Sequence, residues 1–428
     1  MNVLWSVTTI ALVLLCAGAC GRTSPPSARS RVDPACLVAT TADPRGDLDM
    51  AKLQEDLRAS RGAARAAESL GYRFIGRARL SNDSGDYKVA EQAAACLESI
   101  APAEPAALLL RGHALHQMHR FSEAEAIARR LVAVREYVLD FGLLGDVLLE
   151  QGRVAEAAAA YQKMIDLKPF FQSYVRAAHL RWLKGDLPGA IEMMHAAVKG
   201  ASARDRESVA WAYSRLAMYE LQRGRLAEAD RLAGASLEHV PDYAAALLAR
   251  GRIQLAQNRH AEAAETLARA ARLNPLPEYQ WTLADALRLL KRTGEAAAIE
   301  RQLTADGSSA DPRTLALYFS TRRQAGEKAV DLARRELETR ADVFTLDALA
   351  WALASAGQLQ EASALMARAL AEGTEDARLF LHAAVIAAAD GRPADAARWA
   401  RKAHALRFTL LPSELGVLRS GIVQTPRA

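Results

Sequence analysis

The chain has 428 residues, 51% hydrophobic, 6% aromatic and 25% charged, with 25 Gly and 15 Pro. This balance describes a folded chain and excludes a collagen-like, low-complexity or multispanning membrane one; the low aromatic content favours an elongated array of small-residue helices over separate compact domains. The formal net charge is only +5, and of the 55 basic residues nine are Lys and the rest Arg, interleaved with Asp and Glu, so no nucleic-acid footprint is present.

At the amino end, Val3 to Leu15 form an apolar stretch interrupted only by Ser6, Thr8 and Thr9, followed by Ala17-Gly18-Ala19-Cys20. Residues 1–19 read as a secretory signal with a processing site, the alternative being an uncleaved anchor of about 19 uncharged residues, short for a spanning helix. Ala17 to Cys20 resembles the lipobox of bacterial lipoproteins, and Ala17-x-Ala19 also suits an ordinary signal peptidase. The resemblance implies that Cys20 becomes the lipid-modified first residue, and that Gly21 after it directs the protein to the periplasmic face of the outer membrane. Residues 20–47 are rich in Pro, Ser, Arg and Thr without helical period, as a flexible tether of roughly 30 Å reach would be. Cys16 lies in the signal, which leaves Cys36 and Cys96. In an oxidising compartment these two make a natural pair that staples the tether to the body; the alternative is two unpaired thiols, with Cys96 a small core residue.

Leu48 to Ala59 reads as a short capping helix. Beyond it one alanine recurs at Ala90, Ala124, Ala157, Ala190, Ala229, Ala263, Ala296, Ala329, Ala362 and Ala396, in steps of 33 or 34 residues with one of 39. Five residues before it stand Gly85, Gly152, Gly185, Gly224, Gly357 and Gly391, with Asn258 in the same slot, residues that tolerate the left-handed conformation closing a helix. Twelve before it stand Gly112, Gly145 and Gly251, and Ala78, Ala178, Ala217, Ala284, Ala350 and Ala384. A small side chain there lets two antiparallel helices approach closely. Pro102, Pro169, Pro241 and Pro275, twelve residues past their anchors, end the second helix. Around Ala329 the small position holds Leu317 and the glycine has moved to Gly326, which predicts a loosely packed pair. The 39-residue step predicts a longer surface connection near Lys199 to Glu207. Phe408 to Leu418 reads as a rear cap, since a solenoid must cover its terminal apolar faces.

In this phase, over residues 71 to 408, the chain resembles the tetratricopeptide repeat family; the unit Leu139 to Pro169 carries Gly145, Gly152, Ala157, Tyr161 and Pro169 where the family places them. The resemblance implies an all-α, right-handed superhelical α-solenoid of about ten helix pairs. The array spans residues 48–408, behind the signal and tether and ahead of a C-terminal cap and tail, 409–428. It also implies that first helices line a concave groove. The family's outward-looking positions map onto Arg79, His113, His116, Asp146, His179, Trp182, Arg252, Asp285, Arg288, Tyr318 and Trp351, with Arg252, Asp285 and Arg288 on adjacent first helices. Arg and aromatic side chains often dominate interface energy. Trp211 and Trp281 lie nearer the helix seam, as core.

None of these positions is Lys, so the clamp with which one family branch grips chaperone tails is absent. His113, His116 and His119 sit at spacings of three, without a carboxylate to complete a metal site, and His119 falls in the helix-ending slot. No metalloprotease, phosphate-loop, nucleophile-elbow or dinucleotide motif occurs. The reading is therefore a non-enzymatic scaffold without metal or cofactor, binding an envelope protein or peptide in its groove and tied to a membrane through Cys20. The alternative is a cell-wall (peptidoglycan) enzyme or glycan-binding module that uses the repeats as a body. Dimerisation through the end helices stays open.

Overall fold

The computed structural model describes residues 34–421, except 82, 103, 203 and 204, and every regular element among them is helical. The expected signal (1–19), Cys20 and the tether residues 20–33 lie outside the described residues, as does the tail 422–428.

Two short helices, α1 (Leu37–Thr41) and α2 (Leu48–Arg58), precede ten pairs. The pairs are α3 (Ala63–Ser81) with α4 (Gly85–Ile100), α5 (Pro105–Gln117) with α6 (Phe121–Val134), α7 (Val138–Glu150) with α8 (Val154–Leu167), α9 (Phe171–Leu183) with α10 (Leu187–Lys199), and α11 (Arg206–Gln222) with α12 (Leu226–His239). There follow α13 (Ala244–Ala256) with α14 (His260–Leu273), α15 (Pro277–Leu289) with α16 (Thr293–Ala310), α17 (Pro312–Thr321) with α18 (Gly326–Thr339), α19 (Val343–Ser355) with α20 (Leu359–Leu370), and α21 (Ala377–Ala389) with α22 (Pro393–Ala405). A single helix, α23 (Pro412–Gly421), closes the described chain.

The recurring alanines explain the pairing. All ten anchors are buried in the seam between the two helices of a pair. At the small position space is short: a Cβ on Gly145 would lie 2.3 Å from Tyr161 Cε1 across the seam, and one on Gly112 2.4 Å from Leu143 Cδ2 of the next pair. Between the helices the backbone turns through positive φ at His119, Gly152, Gly185, Gly224, Asn258, Lys291, Gly357 and Gly391. Gly85 departs from this expectation. It is the first residue of α4, its N–H bonded to Asp83 Oδ1 at 2.9 Å, and it closes no helix.

The pair α17–α18 is not loose. Its positive φ moves to Arg323 and Ala325, matching the shifted glycine, and Leu315, Ala316, Leu317, Ala329 and Leu332 are all buried in the largest apolar cluster. The extra residues of the long step are shared between the connection after Lys199 and the 17-residue α11, a turn longer than the 13-residue α9.

The tether reading extends too far. From Pro34 the chain is folded against α4: Cys36, Ala39 and Thr40 are buried, a disulfide joins Cys36 to Cys96, and Gln54 Nε2 on α2 donates to the Ala39 and Ala42 carbonyls at 3.0 and 2.7 Å. These side-chain bonds satisfy the backbone of a segment with no periodicity of its own.

Successive first helices pack on one another more closely than successive second helices do, so the first helices wall the concave side. The solenoid coils until its later pairs rest on its earlier ones. Ala341 N donates to Glu150 O at 3.0 Å, Thr374 Oγ1 to Leu183 O at 2.6 Å, Gln222 Nε2 to Glu375 O at 2.6 Å and Arg252 Nη2 to Thr409 O at 3.1 Å. Lys184 pairs with Glu372 at 2.6 Å, and Val154 and Leu183 of the early pairs belong to the same buried cluster as Leu349 and Leu365. The rear segment does cover the last pair, Leu410 and Leu418 packing with Phe380, Leu381 and Ala403, but α23 then turns inward against α15, α17 and α21. Among the described residues no helix is long and apolar enough to cross a membrane.

Candidate functional site: the cavities between early and late pairs

Where the later pairs rest on the earlier ones lie two neighbouring half-open cavities that share Arg313 and Phe344. One, of 210 Å³, is lined by Glu150, His179, Arg313, Arg340, Asp342 and Phe344 among others. The larger, of 280 Å³, lies between Trp182, Arg215, Tyr219 and Gln222 of the early turn, Arg252 and Glu278, and Arg313, Phe344, Asp347, Asp376 and Arg378 of the late turn.

Trp182 is the hub of the larger cavity. Its ring stacks on His179, Tyr219 and Phe344 with centroids 5.6, 6.2 and 5.6 Å apart, and its Nε1 donates to Gln222 Oε1 at 2.9 Å. The Arg215 guanidinium lies 5.7 Å from the Trp182 ring and 5.5 Å from that of Tyr219, with no carboxylate in ion-pair range among the described residues. The other cations are paired: Arg313 with Asp342 at 3.1 Å, Arg252 with Glu278 at 3.0 Å, and Arg378 with Glu414.

Deeper in the early turn, Asp146 accepts from Arg176 Nε and Nη2 at 2.8 and 2.6 Å and from the Tyr161 hydroxyl at 2.9 Å. Burial opposes its ionisation, but Arg176 outweighs burial and holds the carboxyl below the usual range. The opposite holds for the histidines. Burial, aided by Arg176, pushes His113 down to about 3; burial with Arg340 takes His119, and burial with Arg215 takes His179, to about 4. His116 is likewise lowered by burial. These imidazoles are neutral packing groups: His113 lies edge-on to Tyr72, His116 edge-on to Phe121, and His119 stacks on Phe121. Among the described residues no group of three or more His, Cys, Asp or Glu is arranged to hold a metal ion.

The residues expected in the groove therefore separate. His179, Trp182 and Arg252 meet around the cavities, whereas His113 and His116 on α5 and Asp146 on α7 line neither of them. Asp285, Tyr318 and Trp351 are buried, which corrects their expected availability. Asp285 is held by Arg322 at 2.6 Å and by the Ser413 N–H and hydroxyl at 2.8 and 2.6 Å; Tyr318 packs against Trp281; Trp351 lies 4.3 Å from the His382 ring and donates to Thr321 Oγ1 at 3.1 Å. Arg288 turns away to Glu300 on α16 at 2.9 Å, and exposed Arg79 reaches Glu207 at 3.5 Å. Arg252, Asp285 and Arg288 are thus each engaged by other parts of the chain.

Residues 141–170 and 214–276 match the profile of the family described as Tetratricopeptide repeat, in phase with the glycines, alanines and turns above. The chain carries tetratricopeptide repeats at these residues. No curated protein matches the chain. Among solved structures it is similar to a thermophilic TPR protein of Thermus thermophilus, TTC0263, with 19% identity over 44% of this chain and 100% of the other, TM-score 0.35. It is also similar to human IFIT1 in a dimer with PPP-AAAA, with 12% identity over 88% and 96% and TM-score 0.48, and to yeast Tom70, with 10% over 84% and 96% and TM-score 0.33.

The groove positions inferred from a single repeat miss much of the cavity wall. Arg215 and Tyr219 stand two residues either side of Ala217, and Arg313, Phe344, Asp376 and Arg378 sit in the first turns of their helices or just before them. They become neighbours of Trp182 only because the late turn rests on the early one. Asp347, three residues before Ala350, does fall on a position that the family resemblance places in the groove.

Proposed function

We propose that the protein is a non-enzymatic protein-interaction scaffold of the bacterial envelope, exported and held at the membrane through lipid on Cys20, that takes a partner protein or peptide on its inner wall. The observation that carries the binding reading is the cluster around the larger cavity of Trp182, Phe344, Tyr219 and Arg215, a cation without a carboxylate partner among the described residues. These are the side-chain types that supply most interface energy when desolvated. The disulfide between Cys36 and Cys96 agrees with an oxidising compartment.

The test is affinity capture from native envelope by the tagged full chain, beside a Trp182→Ala/Arg215→Glu variant, followed by titration of the retained protein against both. A stoichiometric partner bound saturably by the wild type and lost by the variant supports the reading. Equal binding by both moves the partner away from this cavity, and no saturable partner at all overturns the scaffold role. Mass of the amino-terminal peptide, with Cys20→Ser as control, decides lipidation.

A further inference from the structure

The closing helix is not built like the repeats. Among the described residues it is followed by no second helix and carries no anchor alanine, and it packs against the first helices α15, α17 and α21 as well as against α22. Its contacts there are directional. Ser413 donates both N–H and hydroxyl to Asp285 Oδ2, and Trp281 Nε1 donates to Ser413 Oγ at 3.0 Å. Glu414 lies against the Arg378 guanidinium and also accepts from the Leu411 N–H at 2.7 Å, closing the first turn of the helix. Leu411, just ahead of the helix, and Leu418 within it are buried at 1% and 5% exposure, Leu411 in the largest apolar cluster and Leu418 against Phe380 and Leu381.

The receiving wall offers α23 a buried carboxylate, an indole N–H and two guanidiniums, Arg322 holding Asp285 from behind and Arg378 meeting the incoming acid. A solenoid that only needed its last apolar face covered would require none of these groups, because Leu410 and Leu418 already cover Phe380 and Leu381. Arg378 and the neighbouring Thr409 also border the larger cavity, so the seat of α23 continues into the aromatic site.

Resting on the scaffold reading above, we infer that the concave face of α15, α17 and α21 is a receptor for one helix of defined chemistry, which α23 fills from within the chain, and that the partner docks by presenting an amphipathic helix of the same kind. That helix starts with a hydroxyl followed by a carboxylate, the hydroxyl side meeting Asp285 and Trp281 and the carboxylate meeting Arg378. Apolar residues two positions before the hydroxyl and five after it fill the places of Leu411 and Leu418.

The full chain carrying Glu414→Lys and Leu418→Asp is expected to release α23 and to bind, saturably, a fluorescent peptide with the sequence of residues 408–421, at least about tenfold more tightly than the wild type does. Adding Asp285→Ala weakens that binding by about ten- to a hundredfold, as loss of buried hydrogen bonds to a charged group would. A released variant that melts cooperatively and ignores the peptide overturns the inference. On the unmodified chain, native-state hydrogen exchange is expected to show 412–421 opening before α21 and α22; exchange only with global unfolding makes α23 an ordinary part of the core and also overturns it. A wild-type chain that still captures a partner in either case leaves the scaffold reading standing, so the two failures are separable.

Discussion

Gly145 has no room for a methyl group: the Tyr161 ring occupies that space and is fixed by its hydrogen bond to Asp146. Gly145→Ala is therefore expected to lower stability by about 1–3 kcal/mol in chemical denaturation, the cost of overpacking a filled seam. Exposed Lys291 presents the reverse case. It occupies the turn slot at φ 59, where an L-residue is strained and glycine is not, so Lys291→Gly should gain about 0.5–1 kcal/mol once glycine's entropy is set against relieved strain. The interior histidines give a pH dependence. With folded values of about 3 for His113 and about 4 for His119 and His179, against an ordinary 6.5, the unfolded chain takes up the protons first. Stability is full above about pH 6.5 and is lost as pH falls towards 4. A thermal melting series should show this fall, and a His113→Asn/His179→Asn variant should flatten it.

The helix pair was legible in the sequence because every feature that makes it is local: an alanine, a small residue twelve before it and a left-handed slot between them. Spacing misled where a residue's fate depends on something outside the pair. Gly85 shares the glycine spacing but starts a helix, and Leu317, which breaks the small-residue rule, is accommodated in the largest cluster by a shifted turn. The segment 34–42 carries no period, yet it is ordered by a covalent link and by Gln54. Its disulfide closes a span of 60 residues. Removing it in a Cys36→Ser/Cys96→Ser variant should cost about 2–4 kcal/mol, with α1 and α2 exchanging their amides before the rest of the array.

The coil as a whole was not legible, since the closure of two turns depends on small rotations summed over several pairs, and no single repeat records the sum. Arg252 and Asp285 were read as groove residues for that reason; their partners, Thr409 and Ser413, lie 157 and 128 positions further along the chain. Two glycines at similar positive φ separate closure from local strain. A Cβ on Gly152 would meet Ala341 O of the other turn at 2.3 Å, whereas one on Gly357 meets nothing within 4 Å. Gly152→Ala should therefore swell the molecule in small-angle scattering beyond anything seen for Gly357→Ala. The most direct test of the closed coil is the distance between spin labels placed at positions 184 and 372 of the full chain, where the lysine and glutamate now meet at 2.6 Å. A short, narrow distribution is the predicted result; a long, broad one, as an open solenoid would give, contradicts the contact between the later and the earlier pairs.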